Sequence, residues 1–116
     1  MYDLEEEVIG CLILHPDNIA KLVISDECFQ NNENRFIVKL LKQQYQDVRN
    51  VDLIAIPEKY RHLFNQRFNQ EVIIKKMVNI MTNSLGNNFY YYQKLLFERY
   101  VNNLILNAID KFKNNQ

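Results

Sequence analysis

The chain has 116 residues, enough for one domain with a single core, and its hydrophobic (47%) and charged (24%) fractions are ordinary for a globular protein. Fourteen basic and fourteen acidic residues balance, which argues against a domain whose main work is to grip phosphate backbones. No apolar run approaches the length of a membrane span, and the acidic start is not that of a signal peptide, so we expect a cytoplasmic protein.

The first predicted helix begins after Asp3, whose carboxylate is a suitable N-cap. Three glutamates (5–7) follow, where negative side chains complement the helix dipole; because consecutive positions point in different directions, we expect a helix start and no metal site. Apolar residues repeat at helical spacing as far as His15, which precedes a proline and ends the helix. Gly10 lies inside this pattern at a cost of about 1 kcal/mol relative to alanine, and either a close helix–helix approach or chance explains it.

The two cysteines predict neither a disulfide framework nor a zinc site. Cys11 lies in the first helix and Cys28 well beyond it, with no CxxC spacing and no histidine pair nearby. We expect both thiols to be small buried hydrophobic groups.

A short second helix is predicted from Pro16 or Asp17 to Ser25. Its apolar residues are Ile19, Leu22, Val23 and Ile24. Phe29 then falls in a connecting loop as a buried anchor. Asn31 or Asn32 caps a third helix, NENRFIVKLLKQQYQ, whose apolar stripe comprises Phe36, Ile37, Leu40, Leu41 and Tyr45.

After a break near Val48, Asp52 is a good N-cap for the stretch LIAI, although Pro57 must kink or end that turn. A further helical turn is predicted beyond Pro57. Asn69 then caps a helix, and a turn over residues 84–88 that contains one of the two glycines precedes the last helix. No segment alternates with period two, so we predict an all-α fold of about six helices.

The last helix, predicted from about Asn88 to Lys113, carries more apolar residues than one face can hold. One face comprises Phe89, Tyr92, Leu96 and Tyr100, and another, about a quarter turn away, comprises Phe97, Val101, Leu104, Ile105, Ala108 and Phe112. Such a helix is either central in a bundle or shared with a second chain. We place Tyr92 and Leu96 against the domain's own core.

The candidate protein interface therefore lies on this helix. Its predicted residues are Phe89, Tyr90, Phe97, Val101, Leu104, Ile105, Ala108 and Phe112. We interpret residues 1–116 as one domain, with a globule over about 1–86 and the long helix over about 88–113.

No motif predicts an enzyme, a cofactor or a metal. With only two glycines, neither followed by Lys-Ser or Lys-Thr, the chain has no phosphate-binding loop. His15 and His62 are isolated from any serine, cysteine or carboxylate at a catalytic spacing. We therefore expect no catalytic, cofactor-binding or metal-binding residue.

Four stretches in order resemble the N-terminal domain of DnaB-type replicative helicases of bacteria or phages: EEEVIGCLILHPDNI, ECFQNNENRFIVKLL, VDLIAI and NSLGNNFYYYQKLL. The positions that match the family's motifs are Gly10, Leu14, Pro16, Phe29, Arg35, Val51, Asp52, Asn88, Tyr91 and Tyr92. The resemblance covers nearly the whole chain. The chain departs from the family between Asp52 and Val72, where it is shorter than usual and lacks a Gly-Gly turn. The second long helix of the terminal hairpin and the ATPase domain are also absent.

The resemblance implies a non-catalytic domain of an ATP-dependent replicative helicase. Such domains pair through their terminal helices, assemble into a ring, and receive primase and helicase loader; they meet DNA only indirectly, and no membrane is involved. One alternative is an independent helicase-binding replication protein, such as the helicase-binding end of a primase or a phage decoy of the host helicase. Another is a helical DNA-binding module, which zero net charge and the lack of a basic recognition helix disfavour.

Overall fold

The computed structural model describes residues 3–115, which contain helices and no strand. The α-helices are α1 (Leu4–Leu14), α2 (Asn32–Val48), α3 (Ile56–Lys59), α4 (Gln70–Asn83) and α5 (Phe89–Asn114). Short 3-10 helices cover Pro16–Lys21, Asp26–Cys28 and Arg61–Leu63. The predicted all-α fold with a long last helix is confirmed.

Polar side chains start three helices at the positions that the sequence predicts. Asp3, Asn31 and Asn69 each accept a hydrogen bond from the backbone amide three residues later, at 3.1, 3.0 and 3.2 Å. Each bond satisfies one of the amides that the first turn leaves without an intrahelical partner. α5 begins differently, after Asn88 in the left-handed conformation (φ 61°) and without a side-chain cap.

The predicted second helix is wrong in its second half. A 3-10 helix covers Pro16–Lys21, and the chain then leaves the helical conformation at Leu22. Leu22 and Ile24 pack against the core, whereas Val23 between them is 84% exposed. The Val23 amide donates to Gln93 Oε1 of α5 at 2.8 Å, so a distant side chain replaces a helical hydrogen bond.

Pro57 lies at the beginning of a helix, where we predicted a kink or an end. Asp52 Oδ1 accepts from the amides of Ile54 and Ala55 at 2.9 and 3.3 Å, so Asp52 stabilises a turn. α3 follows with Pro57 in its first turn, where the missing N–H needs no partner. Gln44 of α2 fixes this turn by two hydrogen bonds to the Asp52 backbone, at 2.9 and 3.1 Å.

The core surrounds α1, which packs against α2, α4 and α5. Its fully buried apolar side chains include Val8, Ile9, Leu12, Phe29, Ile37, Leu41, Ile56, Ile73, Met77 and Leu96. Phe29 is thus the buried anchor that the sequence predicts. Both cysteines are buried free thiols, as expected, and burial raises the pKa of Cys11 to about 11.

Gly10 marks a close approach between α1 and the end of α4. A Cβ atom at residue 10 would overlap Cβ and Oγ of Ser84, the C-cap of α4. The close-approach interpretation of Gly10 is therefore correct. Gly86, two residues beyond Ser84, has φ +71°, a conformation that other side chains rarely adopt, and this turn leads into α5.

Candidate protein interface

Among residues 3–115, the buried residues of α5 all lie in its first half. The helix has 26 residues and is therefore about 39 Å long. Its buried residues are Phe89, Gln93 and Leu96, and Tyr92 is half-buried against the core. Leu96 is 0% exposed, which confirms that the Tyr92–Leu96 face is the inward one.

A buried carboxylate fixes the direction in which α5 leaves the domain. Glu5 of α1 accepts from the Gln30 and Asn31 amides at 3.0 and 3.3 Å and from Asn34 Nδ2 at 3.0 Å, all at the start of α2. Arg99 of α5 pairs with the same carboxylate at 3.3 Å. One side chain therefore ties α1, α2 and α5 together. From the sequence, Glu5 was expected only to complement the helix dipole, and its hydrogen bonds to the start of α2 were not predicted.

Two further polar contacts follow along α5, one at the residue after Arg99 and one about a turn beyond it. Tyr100 Oη donates to Glu27 Oε2 at 3.0 Å, a hydrogen bond that raises the pKa of Tyr100. Asn103 Nδ2 donates to Gln30 Oε1 at 3.4 Å. From residue 104 to residue 115 every described residue is exposed. This part of α5 projects from the domain, whose extents are 53 × 33 × 28 Å.

A row of apolar side chains runs from the packed part of α5 into its projecting part, and we call it the distal stripe. It comprises Phe97, Val101, Leu104, Ile105, Ala108 and Phe112, all of them predicted from the sequence. The exposed fraction is 49% for Leu104 and 67% for Phe112. Val101 is half-buried, and the other members are exposed. Ile109, which the prediction omitted, is also exposed and lines a shallow groove with Ile105, Ala108 and Phe112.

The two other predicted interface residues lie in the first turn of α5, one buried and one exposed. Phe89 is only 5% exposed and belongs to the domain's own core, so we remove it from the candidate surface. Tyr90, the next residue, points about 100° away from Phe89 and is exposed. It lies two turns before Phe97 on the same face, with the Lys21 ammonium 6.0 Å from its ring centre.

The side chains of the distal stripe can make hydrophobic contacts but carry no group suited to catalysis or metal binding. Its members have no titratable group, and its neighbours on the helix are mainly asparagines and charged residues. Over residues 3–115 no group of three or more His, Cys, Asp or Glu is arranged to hold a metal ion. Nor does any helix of that part of the chain combine the length and apolarity that a membrane span needs.

Residues 1–98 match the family described as "DnaB-like helicase N terminal domain". The matched segment ends just after the first residue of the distal stripe, so most of the stripe lies beyond it. No curated protein and no solved structure matches the chain.

Proposed function

We propose that this chain, which belongs to the DnaB-like helicase N-terminal domain family, is a non-catalytic assembly domain of a cytoplasmic replicative helicase that pairs with a second copy of itself through the distal stripe. On this proposal the paired domains also provide the surface on which a primase or a helicase loader docks. The family match supports the association with a helicase; the pairing and the docking are inferred.

The observation that carries the proposal is the exposed apolar half of α5. Helices of water-soluble proteins show an apolar face where that face is covered. The first half of α5 obeys this rule, since Leu96 is fully buried. Leu104 lies two turns later on the same helix, and it is exposed in the described part of the chain. A large apolar row on a projecting helix marks an interaction site.

The stripe is complementary to itself. When two copies of α5 lie antiparallel about a two-fold axis near residues 104–105, Phe97 of one copy lies opposite Phe112 of the other, and Val101 opposite Ala108. A self-complementary patch of this kind is what a two-fold dimer requires.

The proposal is tested by placing charges on the stripe. Val101→Glu combined with Leu104→Glu should leave a folded helical protein but dissociate the pair, because an interface core tolerates unpaired charge poorly. Light-scattering mass at several concentrations reports the dissociation, and circular dichroism reports the fold.

The matched control is Leu106→Glu combined with Asn107→Glu, which adds the same charges to exposed positions on the other side of α5. This control should keep the wild-type mass. A stripe variant that associates as strongly as the wild type would refute the pairing, and equal dissociation of both variants would show that total charge matters and the stripe does not.

A further inference from the structure

A second surface feature lies away from the distal stripe, between the first turn of α1 and the last turn of α4. It is a pocket of about 340 Å³. Its lining residues are Asp3, Glu6, Glu7, Asn79, Ile80, Asn83 and Ser84. Ile80 apart, every lining side chain ends in an oxygen-bearing polar group, and three of them are carboxylates.

Glu7 is the anomalous member of this pocket. Its side chain is 7% exposed, and Oε2 is buried with no hydrogen-bond partner. Burial raises the pKa of Glu7, and burial together with the neighbouring Asp3 raises the pKa of Glu6. A buried carboxylate without a cation or a full set of donors is costly. A hydrogen bond with Ser84 lowers the pKa that burial raises and so stabilises the Glu7 carboxylate in part, but Oε2 has no donor among the described residues.

The C-terminal end of α4 adds to the negative potential of the pocket. The C-terminal end of a helix carries partial negative charge and favours a cation, yet the last turn of α4 contains no basic residue. The nearest positive group that acts on Glu6 is Lys76, one helical turn before Asn79. Lys76 is engaged with Glu33 at 3.3 Å and with Asn31 Oδ1 at 3.4 Å.

We propose that this pocket binds the guanidinium group of an arginine presented by a partner protein. Several carboxylate and amide groups line the pocket, which favours a cation that carries several donors. A guanidinium offers five donors in one plane and suits several acceptors at once, whereas an ammonium is a compact point charge. The carboxylates of Glu6 and Glu7, with the amide oxygens of Asn79 and Asn83, supply such acceptors. The inference is independent of the pairing through the distal stripe.

The probe is N-acetyl-arginine amide, titrated into the isotope-labelled full chain and followed by amide chemical shifts. We expect saturable shifts confined to residues 3–7 and 79–84, with a dissociation constant on the order of 1 mM, as befits a ligand of this size. N-acetyl-lysine amide should bind several-fold more weakly. Shifts that grow linearly without saturation, or that lie elsewhere, overturn the proposal, as does saturable binding of Mg²⁺ in preference to the arginine probe.

Charge removal locates the site. Glu7→Gln should weaken arginine binding by about tenfold or more, since it removes the buried charge without changing the shape of the side chain. If Glu7→Gln does not fold, arginine binding is measured on Glu6→Gln, at the half-buried rim of the pocket, and should again be weakened. Glu71→Gln makes the same change at an exposed site at the other end of α4 and should bind as the wild type does. If the three variants bind alike, the pocket is not the site. None of them should alter the mass that reports pairing, so the two proposals fail separately.

Discussion

Glu5 is the residue on which the relative placement of three helices depends. Its carboxylate is 5% exposed and serves two backbone amides and one side-chain amide at the start of α2. The salt bridge to Arg99 is half-exposed on the arginine side, so most of the stabilisation comes from the buried hydrogen bonds. Removing the Glu5 carboxylate leaves several N–H donors without an acceptor. Unpaired buried donors cost more free energy than the loss of an exposed hydrogen bond.

Glu5→Ala is therefore expected to lower the free energy of unfolding by about 2–4 kcal/mol, measured by urea denaturation. Glu71→Ala, an exposed glutamate in the first turn of α4, should change it by less than about 0.5 kcal/mol. Equal losses in the two variants would show that the Glu5 hydrogen bonds contribute nothing beyond an ordinary surface charge.

Gly10→Ala tests the contact between α1 and the end of α4. Alanine gains about 1 kcal/mol of helix propensity, but the new methyl group overlaps Ser84. We expect the overlap to outweigh the gain in helix propensity, so that the free energy of unfolding falls by about 1–3 kcal/mol, measured by thermal or urea unfolding.

Adding Ser84→Gly removes the overlapping side chain, although it also removes the bond from the Gly86 amide to Ser84 Oγ. The double variant should therefore lose less than the two single variants together. A stabilised Gly10→Ala protein would contradict the close approach.

α5 is one helix with two environments. Up to Tyr100 its inner face meets α1 and the Asp26–Cys28 helix, and beyond Asn103 no described residue of it is covered. Leucines occur in both halves, at positions 96 and 104. The same substitution can therefore be compared in a buried site and an exposed site of a single element.

Leu96→Ala is expected to cost about 2–5 kcal/mol, because it leaves a cavity in the core. Leu104→Ala should cost less than about 0.5 kcal/mol when unfolding is measured at a protein concentration low enough for monomers. At high concentration the Leu104 variant should lose stability relative to the wild type, since binding to a partner stabilises the folded state. Similar losses at low concentration would mean that residue 104 is covered within the monomer.

Elements whose signals are local could be predicted from the sequence. α1, α2, α4 and α5 each combine helical apolar spacing with a recognisable start or end, and Asp3, Asn31 and Asn69 cap as expected. The extended segment at Val23 could not be predicted, because the Val23 amide donates a hydrogen bond to Gln93, seventy positions further along the chain. The role of Glu5 depends in the same way on residues 25 or more positions distant.

The candidate interface was predictable in part. Helical periodicity separates the two faces of α5, so the distal stripe follows from the sequence alone. Periodicity does not say which face is inward, and the complete burial of Leu96 identifies that face. Phe89 was predicted as an interface residue although helical spacing places it on the face of Tyr92 and Leu96, and its burial shows that this face is the one that meets the core.

At the scale of the whole molecule, the domain has a closed core, no formal net charge, and one helix that extends beyond it. Zero net charge means that long-range repulsion does not oppose self-association. The projecting helix is therefore the feature that most clearly points to a partner. We propose that this partner is a second copy of the chain.

The most direct measurement is the mass of the wild-type protein by sedimentation equilibrium, from about 1 to about 300 µM. We expect a reversible rise from 14.0 kDa, the mass of one chain, towards twice that value as the concentration increases. A mass that stays at 14.0 kDa over the whole range would contradict pairing through the distal stripe.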